Sequence, residues 1–200
     1  MVFGYVPGLL FHPREAWQKI ADLNDEQIKR LLPYPIIMAL LPAAGFYIGT
    51  TKVGWTLLGK DVVRITEASA IPLVVLMYFA LLGAVIFIGL MVNWMSETYQ
   101  TASFPIKGVV LMGYACTPIF LAGIFAAYPI WWLDILLGCA AAIYTIYLVY
   151  MAVPTLMKVP WDRGFLYASA VFMVALVYVV AVLVGITLIW EYIATPVFTD

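Results

Sequence analysis

The 200-residue chain is 66% hydrophobic and only 10% charged, and its formal net charge is −1. A soluble domain is typically ~45–50% apolar and ~25% charged, and a fold of this size still exposes much of its surface. The composition therefore excludes an ordinary water-soluble enzyme and fits lipid as the solvent. No charge excess or basic patch points to nucleic acid.

The chain does not open with a basic n-region, an h-region and a small-residue cleavage site, so no secretory signal is read. Residues 1–11 are apolar but too few to cross a bilayer, which takes ~20 helical residues. Membrane entry is therefore expected through the chain's own first span.

Residues 1–32 are predicted to form a cytoplasmic and interfacial amphipathic segment. Pro13 suits the first position of a helix. Trp17, Ile20 and Ile28, with Ala21, Leu31 and Leu32, fall near one helical face. Arg14, Glu15, Lys19, Asp22, Asp25, Glu26, Lys29 and Arg30 cover most of the rest. The pattern predicts a helix lying in the membrane surface plane, with Trp17, Ile20 and Ile28 in the bilayer. A solvated helix packed on a cytoplasmic loop is the alternative. Asn24-Asp25-Glu26-Gln27 carries the residues of a cap for a second short helix. The single histidine, His12, reads as a capping or interfacial residue.

Residues 33–200 are predicted to form a five-helix transmembrane domain, with spans over 33–49, 68–94, 106–127, 131–153 and 164–190. The apolar runs are continuous rather than alternating, which favours helices over a barrel. The expected fold is an all-α polytopic membrane protein. Pro35 and Pro42 interrupt the short first span. Only Tyr128, Pro129 and Ile130 separate spans three and four, which forces an antiparallel hairpin. Pro154 and Pro160 are expected to bracket the loop between spans four and five. Trp131, Trp132, Trp161 and Trp190 sit at span ends, as an interfacial aromatic belt requires.

Cationic residues set the orientation. Arg14, Lys19, Lys29, Arg30, Lys107, Lys158 and Arg163 fall on the side of the N-terminus, and Lys52, Lys60 and Arg64 on the other. The positive-inside rule then places the N-terminus in the cytoplasm and the C-terminus outside.

Catalytic signatures are missing: there is no HExxH, GxSxG, phosphate-binding glycine loop or EF-hand. No catalytic, cofactor-binding or metal residue is assigned, and no cofactor is expected. Cys116 and Cys139 lie in apolar runs and read as small packing residues, with a disulfide or metal pair as the alternative. Glu67, Asn93, Glu97, Asp134 and Glu191 lie near span ends, where anchoring at the interface explains them. No ionisable group is seen at mid-depth, which argues against an ion-coupled transporter.

Polarity within the spans comes from hydroxyls and breaks. In Tyr114-Ala115-Cys116-Thr117-Pro118, the proline cannot donate to the Tyr114 carbonyl. That carbonyl needs another donor, and Thr117 or a tyrosine of another span, with Tyr144, Tyr147 and Tyr150 as candidates, can serve. A broken helix also makes substrate or ion sites, so Tyr114, Thr117 and Pro118 are candidate functional residues, with Asn93, Glu97 and Asp134 beside them. Gly123/Ala127, Gly138/Ala142 and Ala181/Gly185 are small pairs that let helices approach.

Four stretches carry a family resemblance: Phe11-His12-Pro13-Arg14-Glu15, Ile48-Gly49-Thr50-Thr51-Lys52-Val53-Gly54-Trp55, Gly113-Tyr114-Ala115-Cys116-Thr117-Pro118, and Tyr128-Pro129. In these the chain resembles the bacterial inner-membrane branch of the Yip membrane protein family. The resemblance implies five spans and a cytoplasmic N-terminus. The eukaryotic family is linked to membrane trafficking and small GTPases, but its Asp-Leu-Tyr-Gly stretch is absent here, so that activity is not carried over.

Two functions follow as expectations. The first is a non-catalytic membrane protein that organises partners or lipids, or acts as an accessory subunit. The second is a small-solute or ion transporter or channel using the broken third span. Expected partners are membrane lipids and a protein partner or second copy of the chain. Alkaline phosphatase fused after Asp200 should be active in a bacterial host, and a fluorescent protein fused there should be dark; the reverse pattern would invert the orientation.

Overall fold

The computed structural model describes residues 2–56, 62–101, 105–192 and 197–199. A 3-10 turn (Val2–Tyr5) leads into α1 (Val6–Phe11), α2 (Pro13–Ala21) and α3 (Asp25–Lys29). Next come α4 (Pro33–Met38), α5 (Leu40–Ile48) and a π turn (Gly49–Val53). Then follow α6 (Glu67–Met95), α7 (Pro105–Ala115), α8 (Thr117–Ala122), a 3-10 turn (Gly123–Ala127), α9 (Trp131–Leu156) and α10 (Trp161–Tyr192). Among the described residues, five stretches are long and apolar enough to cross a membrane: Asp25–Val53, Glu67–Met95, Pro105–Ala127, Trp131–Leu156 and Trp161–Glu191. The chain is an all-α polytopic membrane protein.

Proline places the breaks. Pro35 and Pro42 each fall in the first turn of a short helix, α4 and α5, where no intrahelical N–H bond is lost. The first span is thus a series of short segments, longer than the 33–49 expected. Pro118 does the same for α8, and Cys116 forms the break with φ −77° and ψ 1°. Pro154 behaves differently from the expectation. It lies inside α9, and the turn before α10 begins only at Met157. A Cβ on Gly164 would come within 2.7 Å of the Pro154 side chain, so the glycine lets α10 start directly against it.

The N-terminal segment also departs from its expected place. Trp17 and Ile20 are fully buried and Ile28 nearly so, in one cluster with Leu111, Leu148 and Ala152. Helix α2 packs along α9, and α3 touches α7. The apolar stripe therefore faces the bundle instead of the bilayer, while Arg14, Glu15, Gln18 and Lys19 point outward. Packing against preformed helices removes the stripe from water or headgroups as completely as lipid would, with close-packed contacts in addition. The second short helix is capped as the sequence suggests: Gln27 N donates to Asn24 Oδ1 at 2.9 Å, and Asn24 N to Gln27 Oε1 at 3.0 Å.

Glycines set the closest approaches. A Cβ on Gly108 would overlap the Gly89 carbonyl, fixing α6 against α7. Cβ atoms on Gly45 and Gly49 would overlap the Gly123 and Ala126 carbonyls, fixing α5 against the end of the third span. Of the small pairs read from the sequence, Gly123 makes such a contact with Pro42, whereas Gly138 and Gly185 face open space.

At one end of the bundle the chain forms a small ribbon. Strand β1 (Arg64–Ile65) pairs antiparallel with β2 (Phe198–Thr199), Thr66 N donates to the Val197 carbonyl at 2.9 Å, and Lys52 pairs with Glu67. The loop after span one and the segment after span five thus share a side, as five crossings require.

The glycine contacts give a direct test. Gly108→Val should destabilise the fold by about 2 kcal/mol or more, because backbone rather than side chain must yield. Gly185→Val should shift stability by less than about 0.5 kcal/mol. Thermal unfolding in detergent would read both.

Candidate functional site

The break in the third span is built from three side chains. Thr117 is fully buried, and its hydroxyl donates to the Tyr114 carbonyl at 2.6 Å. This is the carbonyl that Pro118 leaves without its usual partner. Having used its proton, Thr117 Oγ1 accepts from the Tyr34 hydroxyl at 2.7 Å. Tyr34 comes from the first span and stacks on Tyr114, with ring centroids 4.0 Å apart and planes 7° apart. The Tyr114 hydroxyl in turn donates to the Val2 carbonyl at 2.6 Å.

The expected donor Thr117 is therefore the one used, and Tyr34 completes the set. Tyr34 is the residue the sequence reading missed; its only signal was a tyrosine between Pro33 and Pro35 at the start of a span. The tyrosines of the fourth span do other work. Tyr144 donates to the Leu9 and Leu10 carbonyls at 3.0 and 2.9 Å, and Tyr150 meets Ser169 at 2.8 Å. Tyr147 is half exposed. Together Tyr114 and Tyr144 hold the apolar segment Val2–Phe11 against the bundle.

The other candidates lie apart. Asn93 sits in the last turn of α6, beyond the Gly89–Gly108 contact and roughly 15 Å from Tyr114 by helical rise, and Glu97 follows just past the end of that helix. Glu97 is exposed. His12 lies between α1 and α2 and makes no side-chain cap bond. Cys116 and Cys139 are both free thiols. Among the described residues, no group of three or more His, Cys, Asp or Glu is placed to hold a metal ion.

Asp134 stands at the opposite end, where a cavity of about 500 Å³ opens beside the ribbon. All five spans contribute to its wall, through Phe46, Leu81, Ile119, Asp134 and Trp190, with Trp55 from the loop after span one. The wall is mainly apolar, and Asp134 is the one ionisable group among its described residues.

Fold and site together define a helical multi-pass membrane protein whose third-span break is closed by hydroxyls bonded to one another and to backbone carbonyls. The Yip1 domain model matches residues 8–183, and the chain belongs to that family. It is 31% identical over 189 residues to inner membrane protein YohC of Escherichia coli strain K12, covering 94% of this chain and 96% of the relative. The protein of the same name from Escherichia coli O6:H1 matches with the same identity and coverage. No solved structure matches the chain.

Thr117→Val should cost about 3 kcal/mol, because it strands both the Tyr114 carbonyl and the Tyr34 hydroxyl. Thr117→Ser should stay within about 1 kcal/mol of wild type. Tyr34→Phe should fall between them, since it removes a donor without stranding the carbonyl. Equal losses for Thr117→Val and Thr117→Ser, measured by thermal unfolding in detergent, would contradict this geometry.

Proposed function

We propose that this chain is a non-catalytic multi-pass protein of the inner membrane that organises partners or lipids, or serves as an accessory subunit. The curated relatives carry the name inner membrane protein, and the distribution of Lys and Arg favours a cytoplasmic N-terminus.

The observation that carries the reading is the closure of the third-span break. Tyr34, Tyr114 and Thr117 are fully buried, and their hydroxyls are engaged with each other or with backbone. A solute path through the break would need those groups turned to water. Their engagement favours a scaffold and weighs against the transporter alternative. Helix α10 supplies a surface on which a scaffold can work: from Phe172 to Glu191 none of its residues is buried.

Native mass spectrometry of protein extracted gently from its own membrane is the test. A second polypeptide or a retained lipid in stable stoichiometry is the expected result. A bare monomer, together with uptake of a small solute into proteoliposomes that Thr117→Val abolishes, would replace this reading with transport.

A further inference from the structure

The cavity beside the ribbon goes beyond the scaffold reading, because its chemistry selects a ligand. Among its described lining residues the one charged side chain is the carboxylate of Asp134, and the indole N–H groups of Trp55 and Trp190 are neutral donors. Thr50 lines it, but the Thr50 hydroxyl proton is directed to the Phe46 carbonyl at 2.7 Å, so the oxygen offers only lone pairs. Asp134 is half-buried in the wall and has no hydrogen-bond or ion-pair partner among the described residues. Two cations of the described residues beside the ribbon are engaged elsewhere: Lys52 pairs with Glu67, and Arg64 Nε donates to the Val53 carbonyl at 3.3 Å. The remaining wall includes the rings of Phe46, Trp55 and Trp190.

A carboxylate drawn from water into an apolar wall needs a compensating charge. Aromatic faces attract cations and add to that demand. An acyl chain would fill the space and leave Asp134 only the partial positive charge of the α9 N-terminus, and an anion would be repelled by it. The volume of about 500 Å³ lies within the ~300–1,000 Å³ range of small-molecule sites. We propose that this cavity binds a lipophilic monocation: an ammonium, quaternary ammonium or phosphonium centre on an alkyl or aryl body. The charge sits at Asp134 and the body among Leu81, Ile119 and Trp190. The same chemistry is available from a free amphipathic cation and from the ammonium headgroup of a lipid.

The test is equilibrium dialysis of radiolabelled tetraphenylphosphonium against the full-length protein in dodecyl maltoside. Saturable binding of one cation per chain is expected. Neutral triphenylphosphine oxide should compete about ten-fold more weakly or worse, a control that needs no variant. Asp134→Asn should weaken binding about ten-fold or more, while Asp134→Glu stays within about three-fold. Gly138→Leu should abolish binding by filling the cavity, since a Cβ at Gly138 meets nothing within 4 Å. An unchanged far-UV circular dichroism spectrum would show that each variant folds.

Added phosphatidylethanolamine displaces the probe if the lipid headgroup uses the site, and leaves it bound if a free cation is the ligand. Unsaturable binding, equal competition by the neutral oxide, or wild-type affinity in a folded Asp134→Asn protein would overturn the proposal. None of these readouts depends on whether a partner protein co-purifies.

Discussion

A hydroxyl inside a lipid-embedded bundle is costly to leave unpaired, and in this protein the recipient of a tyrosine proton is usually a backbone carbonyl of another helix. Tyr78 donates to Ile36, Tyr114 to Val2, Tyr144 to Leu9 and Leu10, Tyr167 to Val92 and Tyr178 to Ala80. A helical carbonyl keeps a second lone pair after its own ladder bond, so each tether adds an interaction without breaking one. Water is excluded at that depth and cannot substitute. Among the described residues, the buried side-chain polar atoms left without a partner are Trp17 Nε1, Ser96 Oγ and Thr145 Oγ1.

Proline and glycine determine where those tethers can reach. The breaks before Pro118 and around Pro35 bring Tyr34 over Tyr114 with nearly parallel rings. The glycine contacts at Gly89–Gly108 and at Gly45 and Gly49 bring backbones close enough for a side chain from one helix to touch the main chain of the next. Tyr99 and Tyr167 repeat the arrangement at the other end of the bundle, stacked at 4.4 Å with 5° between planes. The aromatic rings fill volume while their hydroxyls fix register, which a leucine at the same place would not do.

Much of this architecture was legible in the chain. Five apolar runs gave five spans, because hydropathy at bilayer length is a direct physical requirement. The break at Pro118 was legible because a proline ring has one consequence in a helix, and its rescue by Thr117 was among the donors foreseen. The face of α2 was read correctly and its neighbour wrongly. Periodicity shows that Trp17 and Ile20 share a stripe, but the stripe looks the same whether it meets lipid or α9. Pro154 misled for a similar reason: a proline marks a lost hydrogen bond, and only the surroundings decide whether the helix stops. Gly45 and Gly49 have the spacing of a contact pair and form one, whereas a Cβ on Gly138 or Gly185 would meet nothing within 4 Å. The cavity at Asp134 was beyond reach, since residues from five spans meet there and no local pattern records it.

The tethers on Val2, Leu9 and Leu10 span 112 to 135 positions of sequence. The segment Val2–Phe11 is therefore fastened by residues of the third and fourth spans, made at least 112 positions later. Until the third and fourth spans have been inserted, Val2–Phe11 has neither the Tyr114 nor the Tyr144 hydroxyl to engage its carbonyls. Assembly therefore closes backwards: a segment made before the spans is set in place only when the fourth of them already lies in the membrane.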